Sequence, residues 1–336
     1  MADIEFTVRD GIAHVLLNRP DALNALTLEM AAALDERLAA WQHDEAVRCV
    51  LVRGQGSRAF CAGGDIRKLY DERAGDYPRR FYRTEYRLNA RLHRFPKPYI
   101  AFMDGIDMGG GVGVSVNGSH RVATENTMFA MPETGIGLFP DVGGSYFLSR
   151  CPGALGLYLG LIGARLGAAD AIYCGIADYF VPAAEWDRLS DVASIERTAR
   201  PPGDAPLARH RDLIDRCFGK NSVEEIVAAL AAEADPFAAE ILKMLAVKSP
   251  TSLKIAHRQI GAGSALDFDD CMRMEWRMVN RVIAGHDFYE GTRAAIIDKD
   301  RKPRWQPARL EDVTDADVAR YFATLPGDEL RFDWEA

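Results

Sequence analysis

Short aliphatic segments alternate with helical patterns along the first part of the chain. Ile12–Leu17 and Val47–Val52 are rich in aliphatic and β-branched residues, which predicts two buried strands. Between them, Thr27 can cap a helix that carries Leu34 and Leu38 on one stripe. A strand, a helix and a strand in succession predict a right-handed parallel crossover unit, so the sequence indicates an α/β fold.

The same pattern continues for about 200 residues and then changes. A helix is predicted over Arg79–Phe95, followed by strands at Tyr99–Met103 and near Arg121–Ala123. After the proline-rich break Arg200–Pro206 the apolar spacing is helical. We therefore expect an α/β core over residues 1–200 and a helical region over residues 207–336. The helices predicted in that region are Val223–Glu233, Pro236–Val247, Thr251–Ile260 and Phe268–Ala284.

Composition narrows the class of protein. The chain carries a net charge of −8, whereas a general nucleic-acid binder needs a basic face, so no nucleic-acid partner is expected. The cysteines and histidines show no zinc-ligand spacing, and reduced thiols are typical of a cytoplasmic enzyme. The amino terminus lacks the pattern of an ordinary secretory signal, and the most apolar segment is too short to cross a bilayer. We expect a cytoplasmic protein without a membrane partner or a bound metal.

A glycine-rich turn, Asp104–Gly118, follows the predicted strand Tyr99–Met103. Successive glycines let the backbone approach a ligand closely and direct N–H groups toward it. Such a turn can hold a phosphate or the oxyanion of a thioester, although close packing of strand and helix is an alternative. The dinucleotide fingerprint fails because Val116 stands where glycine is required. A serine-nucleophile elbow around Ser115 is also incomplete.

A second glycine turn, Phe60–Ile66, also follows a predicted strand. Alone it is weak evidence, because a plain loop explains it as well. Two such turns after two parallel strands could bring two backbone N–H donors onto one carbonyl oxygen, which stabilises a developing oxyanion.

Three acidic residues are candidates for acid or base chemistry. Glu133 and Asp141 lie in a segment interrupted by proline and glycine, so their spacing does not fix their distance. Asp141 could instead cap a helix. Glu85 falls on the apolar stripe of the predicted helix Arg79–Phe95, where a carboxylate is costly unless it is paired or faces a polar cavity. An ion pair with a nearby arginine is the alternative for Glu85.

These features together resemble the crotonase superfamily, also called the enoyl-CoA hydratase/isomerase family, and within it the 3-hydroxyisobutyryl-CoA hydrolase branch. The similarity covers most of the chain. The matching stretches are Leu17–Leu26, Arg58–Ile66, Asp104–Gly113, Phe129–Gly144 and Asp287–Trp305.

The resemblance implies a spiral of ββα units and a site for a coenzyme A thioester. The backbone N–H groups of Gly64 and Gly110 are expected to hold the thioester oxygen. Glu85, Glu133 and Asp141 are expected to line the acyl pocket, with Glu133 and Asp141 as the catalytic pair. The residues expected along coenzyme A are Leu23, Ala25, Ala62, Asp65 and Ile66. No cofactor beyond coenzyme A is implied, and the superfamily favours trimers and dimers of trimers.

One departure separates the branches of this family. Hydratases carry a glutamate just after the glycine triplet, where this sequence has Gly113. Glu133 alone remains of that carboxylate pair, which favours thioester hydrolysis of a short hydroxyacyl-CoA, namely 3-hydroxyisobutyryl-CoA in valine breakdown. An enoyl-CoA hydratase or isomerase is the first alternative, and a non-catalytic acyl-CoA-binding protein is the second. A serine hydrolase using Ser115 with His257 or His286 is least favoured.

Overall fold

The computed structural model describes residues 2–335, which form two compact units. The first unit contains the residues up to Asp65 together with Thr84–Ala130 and Arg165–Pro206. The second contains Ile66–Arg83, Met131–Ala164 and the residues from Leu207 onward. The division predicted from sequence, residues 1–200 and 207–336, stays a prediction.

The strands belong to the first unit. In chain order they are β1 Ile4–Arg9, β2 Ile12–Leu17, β3 Cys49–Gly54, β4 Ala59–Cys61, β5 Tyr99–Met103, β6 Ile106–Met108, β7 His120–Ala123, β8 Met128–Ala130 and β9 Tyr179–Phe180. A six-stranded sheet has the order β1-β2-β3-β5-β7-β9, and a three-stranded sheet has the order β4-β6-β8. Among the pairs of strands named here, β1–β2 is antiparallel and the others are parallel.

The helices alternate with these strands and then continue alone. In chain order they are α1 Leu28–Trp41, α2 Ile66–Asp71, α3 Tyr77–Arg94, α4 Gly110–Ser115, α5 Gly144–Leu148, α6 Leu155–Ile162, α7 Ala168–Tyr173, α8 Val192–Thr198, α9 Arg211–Phe218, α10 Val223–Ala232, α11 Pro236–Leu245, α12 Pro250–Gly263, α13 Phe268–Val282, α14 Asp287–Thr292 and α15 Asp315–Phe322. The first unit holds α1, α4, α7 and α8. The boundary between Arg83 and Thr84 divides α3, and the other helices belong to the second unit.

Successive strand pairs build the two sheets in step. Each successive pair adds one strand to the large sheet and the next strand to the small sheet; the pairs are β3 and β4, β5 and β6, and β7 and β8. A helix follows each pair along the chain. This arrangement is the spiral of ββα units that the resemblance implied, so the predicted fold class is confirmed.

Local chemistry explains why the first elements form where they do. The hydroxyl of Thr27 accepts a hydrogen bond from the N–H of Met30, so the predicted cap of α1 is confirmed. Leu34 and Leu38 on its stripe are fully buried, and each buried leucine contributes about 2 kcal/mol to folding. β3 begins two residues later than predicted because Val47 closes a turn with the carbonyl of Asp44.

The strands that the sequence analysis missed are short or, in the case of β1, end at a tight turn. β4 and β6 have three residues each, which is too short for an alternating pattern to stand out. β1 is joined to β2 through Asp10 and Gly11, which both adopt positive φ angles of 51° and 78°. That turn makes the first two strands an antiparallel hairpin.

The helices α10, α11 and α13 begin where predicted and end one or two residues earlier, whereas α12 is longer than predicted at both ends. Each of α10, α11, α12 and α13 begins after a side chain that accepts a backbone N–H of the first turn. Those capping residues are Ser222, Asp235, Ser249 and Asp267. None of the helices described is long and apolar enough to span a membrane.

Candidate active site

The two glycine turns leave neighbouring strands of the small sheet. β4 and β6 are paired in parallel, so their carboxyl ends lie at the same edge of that sheet. Gly64 follows the end of β4 by three residues, and Gly110 follows the end of β6 by two. The parallel pairing therefore explains why turns far apart in sequence come together.

The backbone of the two turns is in close contact. A Cβ placed on Gly110 would lie 2.9 Å from the nitrogen of Gly64. Leu26 bonds to the carbonyl of Gly63 and to the N–H of Asp65, so the intervening N–H of Gly64 points away from Leu26. Within residues 2–335 neither the Gly64 nor the Gly110 amide donates to a protein acceptor. The two predicted donors thus lie side by side, although their role in holding a thioester oxygen stays a prediction.

Glu85 lies beside the second turn. Its side chain is 1% exposed, and its Oε1 atom lies 2.5 Å from the position that a Cβ on Gly110 would take. Arg91, an arginine near Glu85 in the sequence, donates to Asp35 at 2.5 Å. The structure therefore brings Glu85 to the glycine turn, and its role in lining the acyl pocket stays a prediction.

Glu133 is a buried carboxyl in the second unit. Its side chain is 4% exposed, and its Oε2 atom has no hydrogen-bond partner in the described part of the chain. Burial raises the pKa of Glu133 well above its ordinary value, and the charge of Asp141 raises it further. A hydrogen bond from its own N–H and the charge of Lys248 lower that pKa. Glu133 thus has the environment typical of an acid or base used in catalysis.

Lys248 is the cation near Glu133. Burial lowers the pKa of Lys248, and the charge of Glu133 raises it. The Nζ atom lies 3.4 Å from the position of a Cβ on Gly135. The N–H of Ser249 donates to the carbonyl of Thr134 at 3.0 Å, which ties this segment to the loop of Glu133.

Asp141 is 3% exposed, and the N-cap position of the following helix is held by Gly143. The helix α5 begins at Gly144, whose N–H donates to the backbone carbonyl of Asp141, and the carboxylate of Glu275 accepts the N–H groups of Gly143 and Ser145. The helix-cap alternative for Asp141 is therefore wrong. The next residue, Val142, has a φ of 52°, which is a strained conformation for a β-branched residue.

The predicted coenzyme A segments run side by side. The N–H of Ala62 donates to the carbonyl of Leu23, and the N–H of Asp65 donates to that of Leu26. The side chain of Arg19 links the two segments, because it donates to the carbonyl of Ala25 and to the carboxylate of Asp65. Ile66, also predicted along coenzyme A, is the first residue of α2.

The serine-hydrolase alternative has no support in the contacts of its nucleophile. Ser115 is fully buried, and its hydroxyl donates to Asp107 at 2.6 Å rather than to a histidine. The candidate bases are engaged elsewhere, since His257 bonds to the carbonyl of Lys220 and His286 to Asp287. Among residues 2–335 no cluster of His, Cys, Asp and Glu is suited to a metal ion.

The sequence analysis missed Lys248, Glu275 and Asp107. Glu275 carried a usable signal, because it lies on the buried stripe of α13 together with Cys271 and Val279. Lys248 lies between two helices, where no periodicity marks it. Asp107 lies in a strand that is too short for its burial to be predicted.

The family of the chain follows from comparison with known proteins. A model of the enoyl-CoA hydratase/isomerase family matches residues 12–322. The chain belongs to this family. Its predicted resemblance to the crotonase superfamily is confirmed.

Individual relatives are named either as hydrolases or as dehydratases and hydratases of coenzyme A thioesters. The chain is 46% identical to the mitochondrial 3-hydroxyisobutyryl-CoA hydrolase of Xenopus tropicalis, over 96% of this chain and 89% of the relative. Identity to the enzyme of the same name from Homo sapiens is 42%, over 95% and 88%. A solved structure described as a carnitinyl-CoA dehydratase from Mycobacterium thermoresistibile is 43% identical, with a TM-score of 0.94 over 98% of this chain and 99% of that chain.

The predicted cytoplasmic location is contradicted by these relatives, which are named as mitochondrial enzymes. That prediction is wrong. The buried, reduced cysteines on which it rested fit a mitochondrial compartment equally well, so composition could not separate the two.

Proposed function

We propose that the chain hydrolyses 3-hydroxyisobutyryl-CoA to 3-hydroxyisobutyrate and free coenzyme A, a step of valine breakdown. Curated relatives that are 41% to 46% identical over almost the whole chain carry this activity in their names. The geometric observation that supports it is the adjacency of the Gly64 and Gly110 amides, which suits a thioester oxygen.

In this reaction the carbon–sulfur bond of the thioester breaks and a carbon–oxygen bond forms. The Gly64 and Gly110 amides stabilise the negative charge that develops on the carbonyl oxygen. Glu133, in its ionised form, takes a proton from the attacking water, and that proton later reaches the departing thiolate. The alternative course is direct attack by Glu133 on the carbonyl carbon, which gives a mixed anhydride that water then hydrolyses.

Asp141 has two roles in this proposal. Its negative charge raises the pKa of Glu133 and so strengthens it as a base. It is also a candidate to accept a hydrogen bond from the hydroxyl of the acyl group. Glu85, beside Gly110, is proposed to contact the acyl group close to the reacting carbon.

Hydration of an enoyl-CoA is the second candidate. Two solved structures with TM-scores of 0.94 and 0.92 are described as a dehydratase and a hydratase, the latter from Rhodobacter sphaeroides 2.4.1. Addition of water across a double bond in this family uses a second carboxylate, for which this chain has Gly113. Gly113 lies within α4, and its carbonyl accepts the side-chain amides of Asn89 and Asn117. The position thus carries no acid or base.

The test is a panel of acyl-CoA thioesters with detection of free thiol. We expect thiol release from 3-hydroxyisobutyryl-CoA and no loss of enoyl absorbance from crotonyl-CoA. Glu133→Gln is expected to lower thiol release by a factor of about 100 or more, because the base is lost. Glu240→Gln is the matched control, since Glu240 is an exposed residue of α11. Unchanged thiol release by Glu133→Gln, in a protein that still binds substrate, would refute the role of Glu133.

Coenzyme A and the assembly state complete the proposal. The paired segments around Leu23 and Ala62 are proposed to lie along coenzyme A. The chain is also proposed to assemble as a trimer or a dimer of trimers. Light scattering during size-exclusion chromatography measures the mass directly, and a monomer at working concentration would exclude that assembly.

A further inference from the structure

Asp107 is a buried acid that has no part in the reaction proposed above. It is the middle residue of β6 and is 0% exposed. Its Oδ2 atom accepts a hydrogen bond from the hydroxyl of Ser115 at 2.6 Å. Its Oδ1 atom is buried and has no hydrogen-bond partner among the residues that the structure describes. An acid in this state is costly to bury, so its position requires an explanation.

The carboxyl of Asp107 lies directly behind the second glycine turn. Its Oδ1 atom is 2.9 Å from the position that a Cβ on Gly111 would take, and Gly111 is the neighbour of Gly110. Ser115 lies in α4, on the other side of the turn from β6. The hydrogen bond between Asp107 and Ser115 therefore joins the strand before the turn to the helix after it.

The surroundings of Asp107 contain acids and weak acids. The titratable groups around the turn are Cys61 at the end of β4, Glu85 in α3 and Tyr99 in β5. None of them is a cation. Burial raises the pKa of Asp107 to about 7, and the hydrogen bond from Ser115 lowers it. The side chain thus changes from neutral to charged close to neutral pH.

A charge at this place would act on the reaction. Negative charge develops on the thioester oxygen in the transition state, and an anion behind the Gly110 amide opposes it in a medium of low dielectric constant. We propose that Asp107 is a positioning residue of the thioester-oxygen site. Its neutral carboxyl braces the glycine turn, and its ionisation weakens the stabilisation of the oxyanion by the turn. This inference rests on the proposed function.

The first test is the pH dependence of kcat/KM for thiol release. Wild type is expected to lose about tenfold in kcat/KM as the pH rises through 7 to 9, beyond any change in substrate binding. Asp107→Asn keeps a neutral group of the same shape and is expected to remove this loss. Ser115→Ala is expected to move the loss to higher pH, because it removes a donor that favours the charged form. Asp104→Asn is the control: Asp104 lies three residues before Asp107 and also accepts a side-chain hydroxyl, that of Thr124, and the change should leave the profile unchanged.

The second test reports the polarisation of the thioester carbonyl without turnover. The carbonyl stretch of 3-hydroxyisobutyryl-CoA bound to Glu133→Gln is measured by infrared spectroscopy at pH 6 and pH 9. We expect a shift to higher wavenumber at pH 9 and no such shift after the further change Asp107→Asn. A shift that persists in Asp107→Asn, or an alkaline loss that it does not remove, would overturn the proposal. Absence of thiol release by wild type at every pH would instead refute the proposed function, and the infrared shift would still decide the role of Asp107.

Discussion

The carboxylate of Glu275 accepts both the N–H and the hydroxyl of Ser145, at 2.9 Å and 2.6 Å. It also accepts the N–H of Gly143 at 2.9 Å, so a side chain of α13 satisfies two backbone N–H groups at the start of α5. Gln259 extends the network, because its side-chain amide donates to Ser145 and to the carbonyl of Pro140. These bonds hold both ends of the segment that contains Asp141 and the strained Val142.

Glu275→Gln should loosen the Asp141 segment. The amide group of glutamine would face a backbone N–H that also needs an acceptor, and a buried unsatisfied donor costs about 1–3 kcal/mol. We expect a lower unfolding midpoint in urea and a fall in kcat for thiol release of about tenfold. Asp270→Asn on the same helix is the control, because Asp270 is exposed. Wild-type kcat in Glu275→Gln would show that the network does not support catalysis.

Lys248→Met should move the acidic limb of the pH profile. The positive charge of Lys248 lowers the pKa of Glu133, so its removal leaves only the hydrogen bond from the Glu133 N–H to oppose burial and Asp141, and that pKa rises further. A base is active when ionised, so the rise of kcat/KM with pH is expected at higher pH in Lys248→Met. Lys243→Met removes an exposed lysine of α11 and should leave the limb in place. A limb that moves to lower pH would contradict the assignment of Glu133 as the base.

Gly110→Ala should abolish most of the activity while leaving the fold intact. The new methyl group would lie 2.5 Å from Glu85 Oε1 and 2.9 Å from the Gly64 nitrogen, so the turn must shift. Loss of one oxyanion donor typically lowers kcat by a factor of about 100 or more. Gly261→Ala is the control, because a methyl group there meets no atom within 4 Å. Measured kcat close to wild type in Gly110→Ala would exclude this amide from the reaction.

The sequence predicts those parts of the fold and site that repeat or lie on a periodic stripe. Tyr99–Met103 and the cap at Thr27 are predicted correctly because aliphatic strands and capping residues act locally. Glu85 could be found because a carboxylate interrupts an apolar stripe. Lys248 and Asp107 could not be found, because their burial depends on segments that are distant in sequence, and a short strand or a loop carries no period.

The buried carboxyl of Asp107 leads to a further prediction, which concerns the stability of the fold and not the rate of thiol release. Its pKa is about 7 in the folded chain and 3.8 for an exposed aspartate, so the folded state binds the proton more tightly. The unfolding free energy should therefore fall as the pH rises from about 4 to 7, by up to about 4 kcal/mol from this group. Asp107→Asn cannot ionise and should lose less stability than wild type between pH 5 and pH 8. Urea unfolding midpoints at both pH values, with Asp104→Asn as the control, measure the difference. An equal loss in wild type and Asp107→Asn would show that Asp107 is already ionised at pH 5 in the folded protein.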